Sequence, residues 1–204
     1  VYAEECVPFD AEIATVATRS PSGVIHFPPV RTVQVGGICS EVFTLSPPLP
    51  PAWLKGAREA MENLGRDQDL LGTFAIEWFL VGDRLLANEC APRVHNSGHV
   101  TLASGPLSQF EAHVRACMHL PLPAPELRYP FSAMLNLVGP PGRVQADPLP
   151  PPAEGPGLSL KWYGKSELRP GRKMGHLNVV ADRAPEFEIR LNAARRIVER
   201  WATG

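Results

Sequence analysis

Residues 88–99 read NECAPRVHNSGH and concentrate side chains that can do chemistry. The stretch holds a carboxylate, an arginine, two histidines, amides and a hydroxyl, with little that is apolar after Pro92. Core packing gives no reason for such a composition, whereas a site does. Arginine can pair with a planar anion, histidine can donate or relay a proton, and a carboxylate can hold a hard cation.

A zinc site is one alternative for this stretch, because His95 and His99 are four residues apart. On a helix, that spacing would place both rings on one face. The Asn-Ser-Gly sequence between them disfavours a helix, and the chain has no HExxH motif. We therefore do not favour zinc.

The segment just upstream, residues 72–90, predicts a β-hairpin that turns at Gly82 and Asp83. One of its faces must be buried, because apolar residues alternate along the first strand. That face carries Phe74, Ile76, Trp78 and Leu80, and the other face carries Thr73, Ala75, Glu77, Phe79 and Val81.

The length of the hairpin loop decides whether two glutamates meet. A two-residue turn would pair Val81 with Arg84 and place Glu77 and Glu89 on opposite faces. A three-residue loop, residues 82–84, would pair Glu77 directly with Glu89. We predict the three-residue loop.

Two carboxylates that face each other repel, so a cation or a proton must lie between them. Mg²⁺ suits this arrangement, because it takes one or two carboxylates and completes its shell with water and substrate phosphates. The hairpin therefore predicts a magnesium–nucleotide site in which Phe79 could cover a base. The alternative is a solvated edge hairpin with two surface glutamates.

The elements that must position these residues predict an α+β fold with mostly antiparallel sheets. Residues 1–30 are predicted as strands broken at Ser20–Gly23. Three helices are predicted: residues 50–65 with Pro at the start and Gly65 after the end, residues 107–120 with Phe110, Val114 and Cys117 inward, and residues 184–202. Buried or paired strands are predicted over residues 132–139 and on both sides of a basic turn within residues 158–180.

Composition narrows the class of protein. The 204 residues are 44% hydrophobic and 20% charged, with net charge −1, which gives no electrostatic footprint for nucleic acid or an anionic membrane. No apolar run approaches a membrane span, and residues 1–10 lack a signal-peptide pattern. The four cysteines form no CxxC and are predicted to be free thiols in the cytoplasm, none beside an evident base.

Several separate motifs occur in one order along the chain: EECVPFDAEIA, AIEWF, LLANECAPRVHNSGH, SQFEAHVRA, LNLVG, WYGK and RPGRKMGH. Together they closely resemble the 5-(carboxyamino)imidazole ribonucleotide synthases, ATP-grasp enzymes of purine biosynthesis. The resemblance runs from about Glu4 to Asn178. It implies the C-terminal lobe of an ATP-grasp fold over residues 1–131, then a small β-rich domain over 132–204 with a proline-rich loop at 140–157.

The resemblance also implies a reaction. ATP phosphorylates bicarbonate to carboxyphosphate, and the activated carboxyl group passes to the exocyclic amine of aminoimidazole ribonucleotide. The cofactors would be ATP and Mg²⁺, the substrates small molecules, and the full-length family members are expected to be homodimers. No nucleic-acid or membrane partner is expected.

Residue by residue, the resemblance assigns Glu77 and Glu89 to the metal. It assigns Arg93, His95 and Asn96 to the reacting carboxyl group, and Gly98 to a close backbone approach to ligand. The basic turn would bind ribose phosphate or ATP phosphates, although such turns usually lie in solvent, and Arg169 is expected to hold the loop. The remaining assignments are ATP contacts by Glu4, Glu5, Cys6, Val7, Glu12, Gln34, Phe79, Ala87 and Asn88, and substrate contacts by Ser97, Lys165, Arg172 and Lys173, with Lys165 and Arg172 ranked above Lys173.

The chain departs from the family pattern in two ways. Thr32 and Gln34 stand where the family has an asparagine and an ATP-contacting histidine. Val1 falls at the hinge between the lobes, so the N-terminal nucleotide-fold domain and the lysine-bearing lobe are not in this sequence, and we expect residues 1–204 alone to be inactive. The alternatives are another ATP-grasp carboxylating or formyl-transferring ligase, and a non-catalytic nucleotide-binding fragment.

Overall fold

The computed structural model describes residues 3–204, so the predicted strand start at Val1 and Tyr2 lies outside the described residues. Helices in this part are α1 (Pro51–Asp67), α2 (Thr101–Ser104), α3 (Gln109–Cys117), α4 (Ala184–Thr203) and a short 3₁₀ helix (Asn96–Val100). The strands are β1 (Ala11–Ser20), β2 (Gly23–His26), β3 (Val30–Val35), β4 (Ile38–Thr44), β5 (Gly72–Val81), β6 (Arg84–Ala91), β7 (Phe131–Val138), β8 (Gln145–Ala146), β9 (Leu158–Trp162), β10 (Glu167–Leu168) and β11 (Lys173–Ala181).

Nine of these strands form one antiparallel sheet in the order β6-β5-β1-β3-β4-β7-β11-β9, with β2 paired to the end of β1. Strands β8 and β10 form a separate two-stranded ribbon. The predicted α+β class with mostly antiparallel pairing is confirmed.

The sheet register defines two faces. Glu12 lies opposite Thr32, Thr32 opposite Val42, and Val42 opposite Met134, so these side chains share one face. Val100 of the 3₁₀ helix packs in the core of that face, and α3 lies against β1 and β5 further along it. Helices α1 and α4 cover the opposite face.

The sheet runs across the predicted domain boundary. Strand β4 pairs with β7 through Glu41–Leu135, Val42–Met134 and Phe43–Ala133. Strands before and after residue 131 therefore share one hydrogen-bonded sheet, which brings β11 to the same surface as β1. The boundary at residue 131 remains a prediction.

Helix α1 begins at the predicted proline but does not end at Gly65. Gly65 is buried inside the helix, and a Cβ placed there would lie 3.3 Å from the ring of Phe74. The glycine allows α1 to pack closely on β5, and the prediction that it ends the helix is wrong.

The predicted inward face of α3 is wrong for two of its three residues. Val114 is 53% exposed and Cys117 is exposed, whereas Phe110 is half-buried beside His99, and Gln109, Ala112 and Ala116 are buried. The small alanines let the helix lie close to β1 and β5. Counting the larger apolar residues therefore selected the wrong side.

Residues 3–9 form no regular strand in the structure, so the predicted strand begins only at Ala11, while its break at the Ser20–Gly23 turn is confirmed. The buried strand β7 and the helix α4 are also confirmed. Among the described residues, no helix is long and apolar enough to cross a membrane.

Candidate functional site

A cleft of about 570 Å³ opens on the face of the sheet that carries the 3₁₀ helix. Six strands (β1, β3, β4, β5, β6 and β11), the segment before β1, the β3–β4 turn, and the loop and 3₁₀ helix after β6 contribute to it. Nine predicted site residues line it: Glu12, Gln34, Glu77, Asn88, Glu89, His95, Asn96, Ser97 and Lys173. Residues far apart in the sequence thus meet in one concavity.

The two glutamates meet, although not through the predicted loop. Val81 pairs with Arg84, so the turn has two residues and the three-residue loop is wrong. The register then shifts between Glu77 and Trp78, and Glu77 lies opposite Glu89. A β-bulge at Asn88 supplies the extra residue that the loop was expected to supply, and Trp78 is buried on the opposite face as predicted.

The bulge also explains why consecutive residues line the cleft. Two residues of a bulged strand oppose one on its partner, so Asn88 and Glu89 both reach the side of Glu77. In a regular strand, neighbours would point to opposite faces. Ala87 lies opposite Trp78 and does not line the cleft, which leaves only its backbone for the predicted ATP contact.

Burial and neighbouring negative charge disfavour the ionised form of Glu77. Its side chain is 19% exposed, and burial is the main cause that raises its pKa, followed by the negative charges of Glu89 and Glu12. The described residues contain no cluster of three or more potential metal ligands. A carboxylate pair without a third protein ligand fits Mg²⁺ completed by phosphate oxygens and water.

His95 faces the same carboxylate. Its Nε2 lies 3.7 Å from Oε1 of Glu77. Its Nδ1 receives the backbone N–H of Ser97 at 3.4 Å and lies 2.8 Å from the Ser97 hydroxyl. Burial, and then the charge of Arg93, lower the pKa of His95, so the ring is neutral with its proton on Nε2. It can therefore donate towards an anion in the cleft.

Asn96 is the centre of a side-chain network. Its amide exchanges two hydrogen bonds with Asn136 of β7, at 3.0 and 2.7 Å, and its Oδ1 also accepts from Nζ of Lys173 at 2.8 Å. Asn136 donates further to the carbonyl of Cys39. The network joins the 3₁₀ helix to β4, β7 and β11, and burial lowers the pKa of Lys173 within it.

Arg93 lies beside the cleft without lining it. The residue is exposed, and its guanidinium donates to the carbonyl of Val94 at 3.1 Å. Its charge nevertheless lowers the pKa values of His95 and Lys173. The side chain is close enough to act electrostatically on the cleft.

The segment before β1 holds the predicted hinge residues outside the cleft lining. Glu4, Glu5 and Cys6 are exposed, and Val7 is half-buried. Further along the segment, Phe9 does line the cleft and stacks on Phe79, with centroids 4.5 Å apart and planes 6° apart. Phe79 therefore lies beneath Phe9 rather than open to a base.

Glu12 and Gln34 lie side by side in the cleft. Burial raises the pKa of Glu12, and a hydrogen bond with Gln34 partly offsets this. Gln34 thus has a partner on the protein, and Thr32 of the same strand is buried. The pair presents one acceptor and one amide to the same wall.

Only some of the basic side chains of this turn reach the cleft, and the others contact the turn itself. Lys165 donates to the carbonyl of Lys173 at 2.6 Å, Arg172 donates to the carbonyl of Glu167 at 2.9 Å, and neither lines the cleft. Lys173 does line it, although we ranked it below both. Arg169 pairs with the carboxylate of Glu167, as expected for a residue that holds the loop.

Sequence reasoning missed several residues of the site. Asn136 lies within a short apolar strand, and its isolated polarity was the only signal available. Phe9, Ile38 and Cys39 line the cleft without any such signal, and burial raises the pKa of the Cys39 thiol to about 11, so it stays protonated. Gln109 was read as part of an amphipathic helix, yet it is fully buried against the loop.

The zinc alternative does not match the geometry, whereas the predicted close approach of the Gly98 backbone to a ligand stays a prediction. His99 directs Nδ1 to the amide of Gln109 at 2.9 Å, and residues 96–100 form one turn of 3₁₀ helix. A Cβ on Gly98 would lie 2.3 Å from Oε1 of Gln109. Glycine is therefore required there by Gln109, whether or not a ligand approaches.

Comparison with known proteins shows which families this chain matches. The ATP-grasp domain family matches residues 1–110, and the phosphoribosylaminoimidazole carboxylase C-terminal domain matches residues 132–190. The N5-carboxyaminoimidazole ribonucleotide synthase of Synechococcus elongatus is 40% identical over 188 residues, which cover 91% of this chain and 47% of that protein.

Solved structures agree. The N5-carboxyaminoimidazole ribonucleotide synthetase of Thermus thermophilus superposes with a TM-score of 0.83 at 38% identity, over 94% of this chain and 52% of that one. The Aspergillus clavatus N5-carboxyaminoimidazole synthase, solved with ADP and 5-aminoimidazole ribonucleotide, gives 0.79 at 33% identity, over 94% and 52%.

The chain belongs to the ATP-grasp family. Within it, the resemblance to N5-carboxyaminoimidazole ribonucleotide synthases that the motifs suggested is confirmed. The chain spans about half the length of the relatives it matches.

Proposed function

We propose that the protein carrying these residues uses ATP and bicarbonate to carboxylate the exocyclic amine of 5-aminoimidazole ribonucleotide, releasing ADP and phosphate. One observation carries the proposal: the facing pair Glu77–Glu89 and the His95–Ser97 loop line the same cleft. A metal–phosphate site beside donors for a carboxyl group is what such a transfer needs.

Glu77 and Glu89 would hold Mg²⁺ against the ATP phosphates. The raised pKa of Glu77 supports this role, because a bound cation would offset the repulsion from Glu89 and Glu12. When bound, Mg²⁺ would neutralise charge on the transferring phosphoryl group. Glu12 and Gln34 offer an acceptor and an amide to the nucleotide, with the ribose hydroxyls as the expected partners of Glu12.

His95 and Asn96 would act on the carboxyl intermediate. The proton on Nε2 of His95 points to the cleft, so the ring is set to donate to an oxyanion before it relays any proton. Asn96 and Ser97 supply neutral polar groups, and Arg93 supplies a planar cation at the rim. When the nitrogen–carbon bond forms, the amine proton must leave, and the phosphate released from carboxyphosphate would receive it, either directly or through His95 once Nε2 has given its own proton to that phosphate.

Lys173 is the cation of the basic turn best placed for substrate phosphate, because it alone of the three predicted residues lines the cleft. Lys165 and Arg172 would join it by turning from the backbone carbonyls they now contact. Glu4–Val7 would offer backbone groups to adenine, and Asn88 and the Ala87 backbone would complete the ATP wall.

The test is ADP release by the native gene product that carries residues 1–204, because the chain spans about half the length of the relatives it matches. The complete mixture contains ATP, Mg²⁺, bicarbonate and 5-aminoimidazole ribonucleotide, and each component is omitted in turn. We expect ADP release to depend on all four. Release that ignores the aminoimidazole nucleotide, or that needs a different acceptor, would overturn the proposal in favour of another ATP-grasp ligase.

A further inference from the structure

Gln109, the first residue of α3, is fully buried, and its side chain forms hydrogen bonds with the loop after β6. Its Oε1 accepts from the backbone N–H of His95 at 3.0 Å, and its Nε2 donates to the carbonyl of the same residue at 2.7 Å. One side-chain amide therefore pairs with both backbone groups of His95, as a neighbouring strand would.

The orientation of this amide is fixed by chemistry. The N–H of His95 can only donate and its carbonyl can only accept, so oxygen and nitrogen of Gln109 cannot exchange places. The Nε2 of Gln109 also lies 2.9 Å from Nδ1 of His99, which must then accept. His99 is therefore a neutral ring with its proton on Nε2, and burial lowers its pKa to about 3.

The backbone of Gln109 is fixed from two further sides. Its N–H donates to the hydroxyl of Thr101, which donates to the carbonyl of Gly98. Its carbonyl accepts from the hydroxyl of Thr73 on β5, the strand that carries Glu77. Gln109 thus links the loop that bears His95 to the strand that bears the metal ligand.

Gly98 shows how tightly the amide fits. A Cβ at this position would lie 2.3, 2.5 and 2.9 Å from Oε1, Cδ and Nε2 of Gln109. Contacts this short cannot be accommodated without moving the amide. The loop sequence and the glutamine therefore form a matched pair.

We propose that Gln109 is a positioning residue that sets the distance and direction of His95 relative to Glu77, and so couples phosphoryl transfer to carboxylation. The inference rests on the proposed function. Gln109 does not line the cleft, and it acts through the backbone of His95. Loss of the two hydrogen bonds between the Gln109 amide and the His95 backbone should leave MgATP bound and hydrolysed but impair transfer of the carboxyl group to the amine.

Gln109→Glu is the discriminating substitution, because it keeps the shape and changes only the hydrogen-bonding groups. A protonated carboxyl can still accept from the N–H of His95 and donate to its carbonyl, whereas a carboxylate only accepts and faces that carbonyl with a negative charge. Turnover relative to wild type should fall roughly 10- to 100-fold at about pH 9, the scale for partners that orient active-site groups. The ratio should recover as the pH falls towards about 6 and the introduced carboxyl gains a proton.

Two measurements and one control variant separate positioning from folding. The dissociation constant of MgATP should stay within about threefold of wild type. The ratio of ADP released to nucleotide carboxylated should rise, since activated carboxyl is lost to water. Ser108→Ala removes the side-chain cap of the same helix, so it serves as the control that lowers stability while leaving both the ratio and the pH profile unchanged.

The outcomes are distinct. The proposal would be overturned if the turnover of Gln109→Glu relative to wild type did not change with pH and its ratio of ADP released to nucleotide carboxylated were normal. If wild type shows no turnover that depends on 5-aminoimidazole ribonucleotide, the proposed function fails. Nitrogen NMR of His99 then tests the hydrogen bonds of Gln109 independently of activity. We expect the His99 proton to move from Nε2 to Nδ1 in the variant at about pH 9. A proton that stays on Nε2 would refute the hydrogen-bonding arrangement around the Gln109 side chain.

Discussion

At the scale of single residues, the cleft is defined by what surrounds Glu77. Glu89 lies opposite it, Glu12 adds a third negative charge, and Nε2 of His95 lies 3.7 Å from its carboxylate. Lys173 offsets part of this charge, and burial lowers the pKa of that amine. Such a concentration of shifted pKa values is typical of functional sites.

Replacing either glutamate should nearly abolish ADP release that depends on substrate. We expect Glu77→Gln and Glu89→Gln each to lower turnover by roughly a hundredfold or more, because each removes half of the charge that holds the cation. Binding of free 5-aminoimidazole ribonucleotide, measured by calorimetry, should change little. Asp83→Asn removes a charge from the turn of the same hairpin and should have no effect; near-normal turnover in Glu77→Gln would refute the metal assignment.

Arg93→Lys tests geometry at constant charge. The lysine keeps the cation near His95 but loses the planar pair of donors that suits a carboxylate or phosphate. We expect MgATP affinity within a few-fold of normal and carboxylation reduced roughly a hundredfold. Arg84→Lys, at the hairpin turn, is the control. Weaker ATP binding with normal carboxylation per bound ATP would assign Arg93 to the nucleotide instead.

At the scale of elements, periodicity was a good guide to faces and a poor guide to irregularities. Alternation along β5 correctly predicted that Trp78 is buried away from Glu77. It could not predict whether the extra residue that brings Glu89 opposite Glu77 would lie in the turn or in a bulge, since both give the same count. The buried face of α3 was predicted wrongly because large apolar residues were assumed to be buried, whereas alanines lie on the face that packs closely on the sheet.

The packing of α3 can be tested directly. Ala112 is fully buried against β1 and β5, so Ala112→Leu should lower the free energy of unfolding by about 1–3 kcal/mol through overpacking. Val114 is 53% exposed, so Val114→Ala should change it by no more than about 0.5 kcal/mol. Urea denaturation measures both, and the reverse order would restore the face first predicted from the sequence.

At the scale of the whole molecule, the sheet assembles the site from segments that the sequence shows only separately. Motif resemblance located the hairpin, the loop and the basic turn. It did not predict that Asn136 would join Asn96 to the carbonyl of Cys39, because this contact spans strands far apart in the chain. Nor did it reveal that Lys173, rather than Lys165, reaches the cleft, since that choice depends on how the turn folds back onto β11.

Buried histidines should make the fold sensitive to acid. Burial lowers the pKa of His176 to about 4, from 6.5 when exposed, and its Nδ1 bonds to the hydroxyl of Tyr163. The unfolded chain therefore binds more protons between these values, so stability present above pH 6.5 is lost as the pH falls towards 4. Each such histidine contributes a slope of at most about 1.4 kcal/mol per pH unit.

His176→Gln should make that slope shallower, because glutamine does not titrate. The free energy of unfolding is measured in urea at several pH values between about 7 and 4, and only the slope is compared. His119→Gln is the control because this ring is exposed. An unchanged slope in His176→Gln would mean that His176 is not kept neutral by the fold.

The central claim is that this cleft joins ATP cleavage to carboxylation of an amine. It is tested most directly by supplying carbon-labelled bicarbonate to the native gene product with ATP, Mg²⁺ and 5-aminoimidazole ribonucleotide, and following the label and ADP together. We expect label on the nucleotide in step with ADP, and neither signal in Glu77→Gln. ADP released with ATP, bicarbonate and nucleotide present but without label on the nucleotide would contradict the claim.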